Sequence, residues 1–236
     1  MIAAGILIGL AGGFLRGITG FGAALAMVPA LSLLLPTQVA VVTVVLTTLI
    51  TNVPMCIATR HEADWPSVGW VSAGAMVGLL PGLWLFHQLP SDALRRTAGI
   101  VVLASMALLV FAKPRRSHWA PPYRVGAGML GGLLNGAVSL GGPPVVLYFL
   151  WTTATPQTSR ASFVAYFTVL QLVQFTILAG AGLITRTELG WTAVVAPAML
   201  AGSYVGSRLF RAGGDRYFRP IAFALLGLTG LAALLR

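Results

Sequence analysis

Arg16 is the one charged side chain inside a glycine-rich apolar stretch that runs from Gly12 to Pro29 (GGFLRGITGFGAALAMVP). An ionisable group at membrane depth is expensive and marks a functional site by default. Around it stand Gly17, Thr19, Gly20, Phe21 and Gly22, which combine a hydroxyl with backbone that glycine leaves open to close approach. A second such set follows at Asn135, Gly136, Ser139, Gly141 and Gly142. Asn52 and Gln171 place amides within other apolar stretches, and Gln174 lies one helical turn beyond Gln171 on the same face. A cation, hydroxyls, amides and free backbone N–H groups around Thr19–Ala23 and Ser139–Gly142 can hold an anion. They are not the parts of an enzyme. All five acids (Glu62, Asp64, Asp92, Glu188 and Asp215) fall in expected loops, and no His lies mid-span. No nucleophile has a base beside it, and there is no metal-ligand cluster or ATP-binding motif. The expectation is binding and transport, with no cofactor, no metal and no proton relay of Asp, Glu or His.

Each candidate has a plainer reading beside it. Arg16 either meets an anion or snorkels to the interface from a shallow position. The hydroxyls of Thr19 and Ser139 either touch a ligand or cap a helix. Asn52 and Gln171 either line a pathway or bond across helices.

These residues need elements that break. A glycine costs about 1 kcal/mol relative to Ala inside a helix, so Gly12, Gly13, Gly17, Gly20 and Gly22 predict two short helices rather than one. We expect Ile2–Leu15 and Phe21–Leu35, joined by an unwound turn at Arg16–Gly20. The second helix would point its partly positive N-terminus into the break, as in many anion sites. The pattern returns in GGLLNGAVSLGGPPVVLYFL, Gly131 to Leu150, where Pro143 and Pro144 suit a first helical turn. Gly12, Gly13, Leu15, Gly17 and Gly22 fall on Gly131, Gly132, Leu134, Gly136 and Gly141, and Asn52 on Gln171, all at a separation of 119 residues. Paired glycine-interrupted segments in two halves of a membrane protein point to a transporter's binding site. The other reading of the same glycines is close packing of membrane helices.

Composition agrees with a membrane protein. The chain has 236 residues, of which 57% are hydrophobic and 8% charged, against about 25% charged in soluble domains. We expect no removable signal peptide, since the first apolar run lacks a basic flank and carries the glycine motif itself. The net charge of +10 sits in short loops beside apolar spans, the pattern of topology signals and not of nucleic-acid binding. The single Cys56 lies in an apolar segment and excludes an intrachain disulfide.

The expected organisation is an N-terminal membrane repeat over residues 1–112, a basic cytoplasmic linker over 113–124 and a C-terminal membrane repeat over 125–236. Spans are expected at Gln38–Thr59, Trp65–Phe86 and Thr97–Ala112, then at Ala161–Leu183, from near Trp191 to Phe210, and at Pro220–Leu235. Polar loops should fall at Arg60–Asp64, His87–Arg96, Arg186–Glu188 and Arg208–Arg219. If each broken segment crosses once, the halves are parallel and the basic residues divide evenly between the two sides. If each enters and returns, the halves are inverted. Arg60, Lys113, Arg115, Arg116, Arg124, Arg160, Arg208, Arg211, Arg216 and Arg219 are then inside, with Arg95, Arg96, Arg186 and Arg236 outside. The positive-inside rule favours this second arrangement.

At GITGFGAALAMVPAL and GLLNGAVSLGGPPVVLYFL, over nearly its whole length, the chain resembles the TauE/SafE family of sulfite exporters. It departs from that family's first motif at Ala23 and Ala24, where the family often has further glycines after the Phe. The resemblance implies transport of small sulfur-containing or organic anions such as sulfite or sulfonates. The expected protein is an all-α, polytopic transporter of the bacterial inner membrane, working by alternating access at two facing helix breaks. Its partners would be a small anion and the lipid bilayer, with no nucleic acid and with homo-oligomers left open. The alternatives are an anion channel of the same fold and a membrane subunit or enzyme without transport. Counterflow would favour a transporter, and large single-channel currents a channel.

Overall fold

The computed structural model describes residues 1–19, 22–111, 121–152 and 155–211. Nine helices and no strand occur among them. In chain order these are α1 (Ile2–Thr19), α2 (Ala23–Ser32), α3 (Thr37–Thr59), α4 (Trp65–Gln88), α5 (Ser91–Phe111), α6 (Pro121–Val138), α7 (Gly142–Thr152), α8 (Pro156–Gly180) and α9 (Arg186–Arg211). Four of them, α3, α4, α8 and α9, are long and apolar enough to cross a membrane. Their most apolar windows differ in burial. That of α3 is 61% buried inside the protein and that of α9 is 39%. α3 is thus central, while α9 gives much of its surface to lipid.

Local chemistry sets several of these bounds. Asp64 accepts a hydrogen bond from the Ser67 N–H, with Pro66 in the first turn of α4. Thr155 does the same for α8 with the Thr158 N–H, ahead of Pro156. Thr185 and Glu188 open α9, where the Glu188 carboxylate accepts from both the N–H and the hydroxyl of Thr185.

The breaks are real but fall later than the glycine count predicts. α1 runs unbroken through Gly12, Gly13 and Gly17 to Thr19, and Arg16 lies in its last turn, not in an unwound loop. The reason is tertiary. A Cβ on Gly5 would meet the Trp191 ring, on Gly9 the Val195 carbonyl oxygen, on Gly13 that of Met199 at 2.1 Å and on Gly17 that of Ser203 at 2.3 Å. These glycines recur every four residues and let α1 lie against the backbone of α9. The contacts rise together along both helices, so α1 and α9 run parallel. α6 uses the same device on α4, with Gly128 against Val71, Gly132 against Ala75 and Gly136 against Leu79. This pair is parallel too. The cost of helical glycine is offset by backbone contact that no larger residue allows.

After each break the chain folds back. A Cβ on Gly12 would meet the Met27 side chain, and one on Gly131 would meet Val145 and the Gly141 carbonyl oxygen. α1–α2 and α6–α7 are therefore antiparallel hairpins. One apolar core joins α2, α3 and α5 through residues such as Met27, Leu31, Val44, Val45, Leu94 and Ala98. A second joins α4, α7 and α8 through Val71, Leu79, Val146, Phe149, Phe163 and Leu170.

Other expectations shift at the element ends. The loop expected at His87–Arg96 shrinks to Leu89–Pro90, and Arg124 belongs to α6 rather than to a linker. Asp92 and Glu188 lie in the first turns of α5 and α9, not in loops, and Glu188 is buried. Such acids sit well at a helix N-terminus, where the dipole favours them. The rest of the linker, the Gly20–Phe21 pair and the last span at Pro220–Leu235 fall wholly or largely outside the described residues.

Candidate functional site

The two hairpins bring their turns to one small cavity of about 40 Å³. One water needs roughly 10–15 Å³ on this scale, so the space suits a few atoms. Arg16, Gly22, Asn52, Asn135, Ser139, Gly142 and Gln171 all line it. Most of the residues singled out by spacing thus converge, although they come from five different helices and their flanks. Gly17 and Gly136 do not join them and are spent on the packed faces against α9 and α4. Gly141 packs its backbone on the Gly131 carbonyl oxygen. The side chain of Thr19, and all of Gly20 and Phe21, lie outside what is described.

Arg16 does not reach an interface. It is 3% exposed, and its guanidinium donates to the Thr51 hydroxyl and the Asn52 amide oxygen, with the Met55 sulfur at 3.8 Å. None of these partners carries a negative charge. From Asn52 the hydrogen bonds continue. The Asn52 amide donates to the Gln171 amide oxygen, and the Gln171 amide donates to the Thr48 hydroxyl at 2.7 Å. Thr48 in turn donates to the Val44 carbonyl oxygen at 2.6 Å. Asn52 and Gln171, the matched amides of the two halves, therefore bond directly to each other. Asn135 is held by Gln174 at 2.6 Å.

The same offset of 119 residues that relates Asn52 to Gln171 also relates Arg16 to Asn135 and Met55 to Gln174. Arg16 beside Met55 and Asn135 bonded to Gln174 are thus matched contacts. Arg160 adds a second cation nearby, and it donates to the Gly17 carbonyl oxygen at 3.4 Å.

The backbone donors are fewer than expected. The Ser139 and Leu140 N–H groups are taken by the carbonyls of Asn135 and Leu134, and Pro143 and Pro144 have none to offer. What remains around the second turn is Gly141 and Gly142, together with the Ser139 hydroxyl. That hydroxyl is buried and makes no hydrogen bond among the described residues, while its backbone sits at φ 57°. On the first hairpin Gly22 starts α2 at φ 92° with no side-chain cap. The first turn of α2 (Ala23, Ala24, Leu25) faces the cavity.

Leu140, inside the expected Ser139–Gly142 stretch, also lines it, whereas Thr48 and Phe167 escape a reading by spacing of polar groups. A signal for both was present. Thr48 and Phe167 each stand four residues before a matched amide, on the same helical face.

Hairpins that meet among long apolar helices around a buried cation are the build of a multi-pass α-helical membrane protein. Residues 5–233 match the family described as Sulfite exporter TauE/SafE, and the chain belongs to that family. It is 24% identical over 231 residues, covering 95% of this chain and 90% of the relative, to a "Probable sulfite/organosulfonate exporter TauE" of Cupriavidus necator. No solved structure matches the chain at comparable stringency. Membership in a family of exporters, together with the long apolar helices, makes it a multi-pass protein of the bacterial inner membrane.

Proposed function

We propose that the protein exports small oxyanions of the sulfite and sulfonate class by alternating access around the cavity between the hairpin turns. Arg16 carries this reading. A guanidinium desolvated among neutral partners costs several kcal/mol. An anion in the cavity supplies the missing charge, and the Ser139 hydroxyl and the N-terminus of α2, which has no side-chain cap, can add donors. The sulfite/organosulfonate name of the Cupriavidus necator relative supports the substrate class.

The two halves act as inverted repeats. The antiparallel hairpins, the parallel pairs α1 with α9 and α4 with α6, and the basic loops on one side support that arrangement. Rocking one half against the other would open the cavity to each side in turn. Export needs no coupled proton, because a cytoplasm-negative potential drives each negative charge outward by about 2.3 kcal/mol per 100 mV.

Purified protein screened by thermal shift against sulfite, sulfonates, thiosulfate and carboxylates should be stabilised by the first two classes. In proteoliposomes, labelled sulfite should show saturation and counterflow, and its flux at clamped voltage should ignore a pH gradient. Flux that followed the proton gradient would overturn the uncoupled mechanism.

A further inference from the structure

An anion site of this kind leaves open what limits the size of its occupant, and three observations converge on Phe167. It lines the cavity one helical turn before Gln171, so ring and amide share a face of α8. The tip of the ring lies 3.5 Å from where a Cβ on Gly142 would stand. The ring therefore reaches from α8 to the first residue of α7 and closes that side of the space. Finally, the matching position in the first half is Thr48, which also lines the cavity but presents a hydroxyl bonded to Gln171. One half thus offers a small polar group where the other offers an aromatic wall. Tyr166 holds that wall edge-on, with ring centroids 5.1 Å apart and planes at 70°.

We propose that Phe167 sets the upper size of the transported anion by filling the space that the carbon chain of an organic sulfonate would occupy. This rests on the reading of the cavity as the anion site. The oxygens of the ligand turn to Arg16 and Ser139, and any carbon tail must compete with the ring. Gly142 is the complementary gap. A methyl group there meets the ring at an ordinary contact distance, so the fold accepts it while the cavity shrinks.

The test titrates full-length wild type, Phe167→Thr, Phe167→Ala, Gly142→Ala and Arg16→Gln with sulfite, methanesulfonate and butanesulfonate, reading thermal stabilisation. Phe167→Thr and Phe167→Ala should raise the affinity for butanesulfonate relative to sulfite by about tenfold or more, since one methylene in a fitted pocket already discriminates by that factor. Gly142→Ala should act oppositely and lose methanesulfonate before sulfite. Unchanged ratios in these variants, with sulfite stabilisation abolished in Arg16→Gln, would overturn the role of Phe167 and leave the anion site standing. A full sulfite response in Arg16→Gln would overturn the site itself, and the size limit with it. Should the Phe167 variants fail to fold, Gly142→Ala decides, and an equal effect on sulfite and methanesulfonate refutes the proposal.

Discussion

The hairpins α1–α2 and α6–α7 follow one backbone plan and bring different charge to it. Each lays a glycine-lined helix along a long helix of the other half, folds back after a short break and presents its turn to the shared cavity. At matched positions the first hairpin carries Arg16 and the second Asn135. The turns differ as well. The first starts α2 from a glycine at φ 92°, while the second places Ser139 at φ 57° and enters α7 through two prolines. The difference teaches that pseudo-symmetry supplies the shape and asymmetry supplies the charge. Two arginines facing each other across so small a space would repel strongly in a medium of low dielectric. Under the proposed function the hairpin arginine, tied through Asn52 to Gln171, attracts the anion and the neutral second hairpin lets it leave.

The hardest way to break this contrast is to remove the charge. Arg16→Gln should lower sulfite affinity about a hundredfold or more, as loss of a buried charged partner does in interfaces. Asn135→Ala should cost less than about tenfold. The double exchange Arg16→Asn with Asn135→Arg sharpens the point. Restored binding in a thermal-shift titration would show that the cavity needs one cation on either hairpin. Continued loss would tie the function to the first hairpin alone.

The turns should differ in their tolerance of bulk. Gly141→Ala places a methyl 2.0 Å from the Gly131 carbonyl oxygen, and overpacking of this kind costs about 1–3 kcal/mol. Gly22→Ala puts a methyl on a residue at φ 92°, a backbone strain of about 1–2 kcal/mol. Melting of the two ligand-free proteins in one detergent checks the order, and a Gly141 variant as stable as wild type would contradict it.

Asn52→Ala and Gln171→Ala should each weaken sulfite binding by about tenfold, the worth of one charge-linked hydrogen bond. The double variant should be little worse than either single one, since the two amides form one chain of bonds. Additive losses would mean that each half holds the anion independently. The smallest effect is expected for Ser139→Ala. The hydroxyl has no partner among the described residues, so melting should be unchanged while sulfite affinity drops a few-fold.

The membrane class, the two broken segments, their matched positions and the isolated cation of Arg16 were all legible in the chain, because apolar length, glycine clustering and a lone charge are local properties. The same locality explains the misreading of Gly12, Gly13 and Gly17. Their cost in a helix is a property of the residue, whereas what offsets it is tertiary: Met27 of α2 lies against Gly12, and α9 near Met199 and Ser203, far along the chain, lies against Gly13 and Gly17.

Thr48 and Phe167 were passed over for a related reason. A threonine and a phenylalanine in an apolar span read as packing until a neighbouring helix leaves a space beside them. By itself the sequence determined that the backbone would break twice and that one arginine would stand near a break, while its burial was left to the fold. Only the tertiary structure decided which glycines bend and which pack, because a residue without a side chain serves either purpose and its neighbours choose between them.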